Sequence, residues 1–350
     1  MLWMGEAASV ATRMTTVTQA ASESATVRPF TPGTASEVRG LSVLLVGDFS
    51  AGRKGNHSVA QDLAQRFAAA GHGVLTTSSR TSRLGRVADM VSSSLLARRR
   101  VDVAVVDVYS GPAFRWAQAV TGVMKSAGVP VILVLRGGSL PRYAERHPQR
   151  VKGLFAAAQA VVALSGYLEE KLAAFGSNLM TIPNPFAAGA YEFRERIRPA
   201  PRLVWLRGFH SIYDPEMAVR VVARLGSTFP DVSLVMVGDD REPGRTEATR
   251  RLAQELGVAD RIECTGPVPK SEVAAQLQRG DIFLNTPRTD NVPISVLEAM
   301  ASGLCVVSTD AGGLPYMLTP ERDSLLVASG DDRAMAEQVQ RLLREPGLAG

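Results

Sequence analysis

The stretch that most constrains this chain is residues 290–303, which read DNVPISVLEAMASG. Apolar runs at 281–286 and 304–309 flank it, and both are typical of buried strands. Strand, polar loop, short helix and strand form a βαβ unit, which puts the loop and the helix N-terminus at the carboxyl edge of a parallel sheet. Pro293 suits the first helical turn, because its missing N–H would have no partner there and its φ is already helical.

The N-terminus of this helix is suited to an anion, because its free N–H groups carry partial positive charge. Asp290 lies in the loop before it and Glu298 about two turns along. We expect both carboxylates to accept hydrogen bonds from hydroxyls on either side of a bound phosphate. The spacing alone also fits an amphipathic helix with surface acids.

Length and composition indicate a soluble protein with two domains. The chain has 350 residues, of which 45% are hydrophobic and 21% charged. Cys264 and Cys305 fall in apolar segments, which predicts buried, reduced thiols and a cytosolic protein, and no metal-ligand spacing is present. Residues 1–40 are rich in Ala, Ser and Thr, and this composition predicts a disordered leader. They contain no apolar run long enough for a signal peptide or a membrane span.

Alternating strand and helix patterns predict doubly wound parallel sheets, in an N-terminal Rossmann-like domain at 41–186 and a second one at 201–345. Residues 187–200 are polar and predict a linker. The loop from Gly52 to Gly55 sits where a Rossmann fold binds pyrophosphate, but it lacks G-x-G-x-x-G. No acidic residue ends the second strand, so dinucleotide binding is disfavoured.

The two acids with seven residues between them, the A-M-A-S-G that follows and the G-G-L-P at 312–315 resemble the signature of a known enzyme family. They are similar to the E-x7-E region of retaining GT-B glycosyltransferases, in particular glycosyltransferase family 4. The I-P-N-P at 182–185 resembles that family's interdomain hinge, and the resemblance covers about residues 41–345. It implies two Rossmann-like domains facing a cleft. The implied reaction moves a sugar from a nucleotide-diphosphate donor to an acceptor hydroxyl with retention of anomeric configuration, without a metal or other cofactor.

The resemblance also implies roles for particular residues. Asp290 would contact the donor sugar, Glu298 the nucleotide ribose and Arg207 the diphosphate, and these three are the predicted catalytic residues. Further donor-binding residues are expected on both sides of the cleft: Gly55, Gly137, Gly138, His210, Val268, Asn291, Pro293, Ile294 and Ser295.

Three departures from the family pattern stand out. The first acid is Asp, one methylene shorter than Glu. A lysine that normally follows the diphosphate-binding arginine by about five residues is missing, and Ile212 and Tyr213 occupy that region. Arg136 stands near the place where many members have a histidine that touches the sugar. The loop 136–141, which it begins, is a second candidate wall of the cleft.

Charge is divided unevenly along the chain. Residues 41–199 contain 20 basic and 10 acidic side chains, whereas residues 200–350 contain 16 basic and 21 acidic ones. The basic half invites an anionic partner. The donor is expected to be a nucleotide sugar and the acceptor a lipid-linked or soluble glycan. The protein is expected in the cytoplasm or peripherally on the inner membrane face, in cell-envelope polysaccharide or glycolipid synthesis. Nucleic acid is not an expected partner, and a solvated arginine-rich surface explains the charge equally well.

Two other functions remain open from the sequence. A GT-B epimerase would need a dedicated acid/base constellation, and a phosphorylase a lysine for pyridoxal phosphate, for which the five lysines offer no evident candidate. A non-catalytic sugar-nucleotide-binding protein is compatible with Asp290 and the missing lysine.

Overall fold

The computed structural model describes residues 40–47, 49, 59–77, 83–345 and 347–350. The predicted leader, apart from Gly40, and the loop residue Gly55 lie outside these ranges.

The first domain is built on a six-stranded parallel sheet with strand order β2-β1-β3-β4-β5-β6. Its strands are Ser42–Val46 (β1), Gly73–Thr77 (β2), Val103–Val108 (β3), Val131–Leu135 (β4), Ala160–Ala163 (β5) and Leu179–Thr181 (β6). Strands β1, β3 and β4 are almost wholly buried because helices cover both faces of a parallel sheet.

Six described helices belong to this domain: Val59–Ala69 (α1), Arg83–Ala97 (α2), Ala113–Ser126 (α3), Leu140–Arg146 (α4), Pro148–Ala157 (α5) and Gly166–Leu172 (α6). The larger apolar cluster of the domain centres on Phe114, Met124 and Phe155, all of them buried. Ser165 caps α6 by accepting a hydrogen bond from the Leu168 N–H.

The second domain repeats the architecture with strand order β12-β11-β10-β7-β8-β9, again entirely parallel. Its strands are Arg202–Leu206 (β7), Ser233–Val237 (β8), Ile262–Gly266 (β9), Ile282–Asn285 (β10), Cys305–Thr309 (β11) and Leu325–Val327 (β12). If β7 is counted as the first strand of this domain, the order is the Rossmann order 3-2-1-4-5-6. The point at which the strand order reverses then lies between β7 and β10.

Its described α-helices are Pro215–Leu225 (α7), Arg245–Glu255 (α8), Val273–Leu277 (α9), Ile294–Ala301 (α10) and Asp332–Arg344 (α11). Asp214 is the N-cap of α7 and accepts from the Met217 N–H, while Pro215 is the first helical residue. Asp331 caps α11 by accepting from the Ala334 N–H.

Cys264 and Cys305 are free thiols that are partly buried rather than fully buried, so that part of the prediction is corrected. Both lie in sheet strands, where successive side chains point to opposite faces of the sheet. At these two positions the elements packed on the sheet cover the thiol only in part. Burial raises the pKa of Cys305 to about 11.

The segment between the domains packs against the second one around a single carboxylate, Asp281. Its oxygens bind Arg194 at 2.9 Å, Arg202 at 2.8 Å and the Ala200 N–H at 2.9 Å. Arg196 is only 5% exposed and donates to the carbonyl oxygens of Ser302 and Gly280. We call this arrangement, with Arg194, Arg196, Ala200 and Arg202 around Asp281, the Asp281 hub.

Candidate functional site

The site forms where the second sheet reverses its strand order. Arg207 directly follows β7, and Asp290 lies in the loop between β10 and α10. Neighbouring parallel strands bring these carboxyl ends together, and open α/β sheets bind ligands at such a switch point. The predicted position of Pro293 is one residue off. It is the N-cap of α10, with φ −70° and ψ 117°, because its extended ψ places it before the first helical residue, Ile294.

Asp290 and Arg207 form a direct ion pair in which the guanidinium Nη2 donates to the Asp290 Oδ2. The Arg207 guanidinium also lies 4.4 Å from the centre of the Tyr213 ring, a cation–π contact. Burial opposes the charged form of Arg207, but the Asp290 carboxylate and Tyr213 outweigh it and hold the pKa of Arg207 above its ordinary value. The site therefore keeps one fixed positive charge beside α10.

Glycines hold the 290–291 backbone in place from both domains. A Cβ on Gly138, which belongs to the first domain, would come within 2.6 Å of the Asp290 carbonyl carbon and oxygen. Gly312 has a φ of +66°, and a Cβ at that position would overlap the same carbonyl oxygen. The Gly313 N–H donates to that carbonyl at 3.0 Å. Glycine is required at these places because backbone meets backbone.

Asn291 connects the loop to the first domain. Its Oδ1 accepts a hydrogen bond from the hydroxyl of Ser165, and both side chains are buried. Three donor groups beside the first turn of α10 are buried without a partner among the described residues: Arg207 Nε, Asn291 Nδ2 and Ser295 Oγ. Each such group costs about 1–3 kcal/mol when it has no acceptor. A cluster of donors without acceptors suits an anionic, oxygen-rich ligand.

Glu298 lies on α10 with its side chain only 5% exposed, and it has two partners that sequence reasoning missed. The Tyr191 hydroxyl donates to its Oε1 at 2.8 Å, and the Lys270 ammonium donates to the same oxygen. These residues are 107 and 28 positions away from Glu298, so no local spacing could have revealed them. Burial and the Glu298 carboxylate raise the pKa of Tyr191, which therefore stays protonated.

The other predicted donor-binding residues are distributed around the same edge. His210 is part of the turn after β7, and its Nδ1 accepts from the Ile212 N–H at 3.1 Å. Val268 packs in the apolar cluster that contains Val296 of α10, and Ile294 is half-buried in the first turn of that helix. Gly137 lies on the first-domain side, next to Gly138, and a Cβ on it would lie 3.7 Å from the Ser110 nitrogen.

Arg136 begins the loop whose Gly138 lies against Asp290, and its own side chain is bound within the first domain. Its Nε donates to Asp107 at 2.8 Å and its Nη1 to the Asn184 Oδ1 at 2.8 Å, and its side chain is 8% exposed. An arginine beside a buried carboxylate is held by charge, which explains why it turns into the first domain. It joins the first sheet to the segment that leads into the second domain.

Metal ligands and membrane spans are both missing from the described part of the chain. No group of three or more His, Cys, Asp or Glu within the described ranges could hold a metal ion. No helix found there is long and apolar enough to cross a membrane.

Two parallel six-stranded sheets, with the candidate site at the carboxyl edge of the second and Gly138 of the first domain against it, define a protein of the GT-B fold. Solved structures of this class share it. HepE from Anabaena in complex with UDP-glucose has a TM-score of 0.69 at 14% identity, covering 88% of this chain and 92% of that one. Sucrose-phosphate synthase from Thermosynechococcus elongatus has a TM-score of 0.72 at 18% identity, covering 88% and 91%. The predicted fold class is confirmed.

Residues 200–345, the second domain, match the sequence family described as glycosyl transferases group 1. A phosphatidylinositol N-acetylglucosaminyltransferase component from Arabidopsis thaliana is 33% identical over 142 residues, which are 41% of this chain and 29% of that protein. A GDP-mannose-dependent α-(1-6)-phosphatidylinositol monomannoside mannosyltransferase from Mycolicibacterium smegmatis is 28% identical over 174 residues, 48% of this chain and 45% of the relative. The matched region spans less than half of each of these relatives.

Proposed function

We propose that this protein is a glycosyltransferase that moves a sugar from a nucleotide-diphosphate sugar to an acceptor hydroxyl. The observation that carries the proposal is the Arg207–Asp290 pair at the N-terminus of α10, where the Arg207 Nε and two further donor groups have no partner among the described residues. The match of this domain to glycosyl transferases group 1 supports it, as do structural neighbours solved in complex with UDP or UDP-glucose.

The chemistry is stabilisation of a leaving group. Negative charge grows on the diphosphate as the glycosidic bond breaks, and the Arg207 guanidinium and the N–H groups of α10 meet that charge. Removing one such donor raises the barrier by about 3 kcal/mol. We assign the donor diphosphate to Arg207, the sugar to Asp290 and the ribose to Glu298. The reaction needs no metal in this proposal and retains the anomeric configuration.

The acceptor is proposed to be anionic, either lipid-linked or phosphorylated. The names of both relatives contain phosphatidylinositol, which supports an acceptor that carries a phosphate. On the first domain, Arg142, Arg146, Arg150 and Lys152 are all exposed along α4 and α5. These residues lie beyond the Gly137–Gly138 loop that faces Asp290, where an acceptor phosphate would meet positive charge.

We also propose a peripheral position on the inner membrane face, in envelope glycan or glycolipid synthesis, and the same charges support it. The end of α2 adds apolar surface to them, since Leu96 is 79% and Leu95 is 42% exposed. Arg99 and Arg100 follow directly and are exposed. Apolar side chains next to basic ones are the combination that binds an anionic lipid surface.

The test is a thermal-shift panel of UDP, GDP, ADP and CDP, combined with hydrolysis of the matching nucleotide sugars without acceptor. A ligand at 100 times its Kd stabilises the folded protein by about 2.7 kcal/mol, so a selective diphosphate names the base. Slow release of free sugar from the same donor, unaffected by EDTA, is the expected result. The anomer released first, read by proton NMR, reports retention or inversion.

Each outcome has a distinct meaning. A selective shift without hydrolysis of any donor would indicate a sugar-nucleotide-binding protein without catalysis. Neither a shift nor hydrolysis with any nucleotide would contradict the proposal altogether.

A further inference from the structure

Three separate parts of the chain meet at one carboxylate oxygen. Tyr191 comes from the segment between the domains, Lys270 from the short 3-10 turn Lys270–Glu272 after β9, and Glu298 from α10. Both donors bond to Oε1 of Glu298. Phe186 stacks on the Tyr191 ring, with centroids 5.6 Å apart, and fixes the direction of that hydroxyl.

The second oxygen of Glu298, Oε2, is left available. Within the described part of the chain it accepts from no donor, and it does not belong to the buried atoms that lack a partner. It therefore keeps contact with solvent while the rest of the side chain is 5% exposed. A carboxylate that accepts two hydrogen bonds on one oxygen and leaves the other oxygen open to solvent is a preorganised acceptor for a hydroxyl.

We propose that Lys270 and Tyr191 are positioning residues that direct Oε2 of Glu298 at the ribose 2′-hydroxyl, so that the site selects ribonucleoside over 2′-deoxyribonucleoside diphosphates. The inference rests on the proposed function and extends it to two residues and a substrate class. Lys270 compensates the charge of the buried carboxylate, and Tyr191 sets its orientation. Without these two residues the Glu298 side chain rotates toward other donors, and its Oε2 no longer points at the 2′-hydroxyl.

An alternative role for Lys270 is to bind the diphosphate in place of the lysine that is missing near Ile212. The two roles predict different effects on the affinities for ribose and deoxyribose ligands. A lysine on the diphosphate contributes equally to ribose and deoxyribose ligands, because both carry the same phosphates. A lysine that positions Glu298 contributes only where the 2′-hydroxyl is present.

The experiment is calorimetric titration of UDP, dUDP, GDP and dGDP into the full chain and its variants. For the base that binds, the unaltered protein is expected to prefer the ribonucleotide by about tenfold or more, the value of one charge-assisted hydrogen bond. Lys270→Ala should reduce that preference to about threefold or less while deoxyribonucleotide affinity stays nearly constant. Lys270→Arg should restore most of it, and Tyr191→Phe should give an intermediate ratio.

Lys125→Ala is the matched control, because it removes an exposed lysine at the end of α3. It should leave the ratio unchanged. Equal loss of affinity for ribose and deoxyribose ligands in Lys270→Ala would overturn the inference in favour of diphosphate binding. An unchanged ratio in both Lys270→Ala and Tyr191→Phe would overturn it as well. If the unaltered protein bound none of the four nucleotides, the proposed function itself would fail.

Discussion

At the scale of single residues, Asp290 and Glu298 carry the same functional group in different surroundings. Asp290 is paired with Arg207 and lies in a loop, whereas Glu298 is held on a helix by Lys270 and Tyr191. A carboxylate paired with the arginine that we assign to the diphosphate is suited to act when a sugar leaves. A carboxylate fixed from two sides is suited to hold a ligand in place.

This difference predicts a division of labour between the two acids. Asp290→Asn should lower the rate of donor hydrolysis while affinity for the sugar-free diphosphate changes little. Glu298→Ala should instead weaken diphosphate affinity by about ten- to a hundredfold, because a ribose hydroxyl loses a charged acceptor worth about 1.5–3 kcal/mol. Calorimetry with UDP and GDP, beside the hydrolysis rate, measures both. Equal losses of diphosphate affinity in the two variants would contradict this assignment.

Asp281 gives a prediction about stability and pH. Burial alone would raise its pKa, but hydrogen bonds from Arg202 and Ala200 and the Arg194 charge outweigh burial, so the pKa lies below its ordinary value of 3.8. A carboxyl with a depressed folded-state pKa stabilises the protein fully above the unfolded pKa and loses that contribution as the pH falls through the folded value.

Asp281→Asn should therefore cost about 3–5 kcal/mol of unfolding free energy at pH 7, since it breaks a buried ion pair. The difference from the unaltered protein should shrink as the pH falls below about 3.8. Urea unfolding at pH 7 and pH 3 measures it. Asp62→Asn, whose partner Arg66 is 48% exposed, is the control and should cost less than about 1 kcal/mol at either pH. A pH-independent cost for Asp281→Asn would show that its charge is irrelevant.

At the scale of elements, local patterns in the sequence predicted most of the secondary structure. The strands of both sheets follow from apolar runs, which are properties of neighbouring residues. Pro293 was misplaced by one residue because its φ suits both the N-cap and the first helical position. Lys270, Tyr191 and Ser165 were missed because their roles depend on contacts between distant segments. The bonds of Arg136 to Asp107 and Asn184 were missed for the same reason.

The glycine loops yield a prediction at this scale. Gly138→Ala should push the first-domain loop away from Asp290, because its Cβ would meet backbone that cannot move aside. Weaker nucleotide binding and a lower Tm are expected, measured by calorimetry and thermal unfolding. Gly153→Ala, in α5 with open space around it, is the control and should raise stability by about 0.5–1 kcal/mol. If both variants behaved alike, close backbone approach at Gly138 would have no importance.

At the scale of the whole molecule, contacts near the site join the two domains. Besides Ser165 with Asn291, the Tyr316 hydroxyl donates to Glu170 of α6 at 2.6 Å, and the Tyr316 ring lies 5.6 Å from that of Tyr167. Tyr316 belongs to the turn that follows Gly312 and Gly313. The loop around Asp290 and Asn291 is thus held by contacts that also join the two domains, so a movement of one domain would shift Asp290.

The membrane proposal also belongs to this scale, because it depends on how charge is divided between the domains. Cosedimentation with anionic vesicles should be salt-sensitive and absent with neutral vesicles. A variant combining Leu96→Ser with Arg99→Gln and Arg100→Gln should bind at least about tenfold more weakly, since each basic residue contributes about 1 kcal/mol. Leu256→Ser removes an equally apolar, 42% exposed side chain from the second domain and should have no effect. Binding that ignores both lipid charge and salt would refute the proposal.

The Asp281 hub decides which part of the chain can fold by itself as the second domain. A fragment beginning at residue 201 would lose Arg194 and Arg196 and keep Arg202 beside the buried carboxylate, and it would lack Tyr191 beside Glu298. A fragment beginning at residue 187 would retain Arg194, Arg196, Ala200 and Tyr191 with their bonds. The longer fragment should be the more stable of the two in urea, and it should resist cleavage by trypsin after Arg196. Composition alone predicts a linker at 187–200, whereas these contacts make the segment part of the second domain.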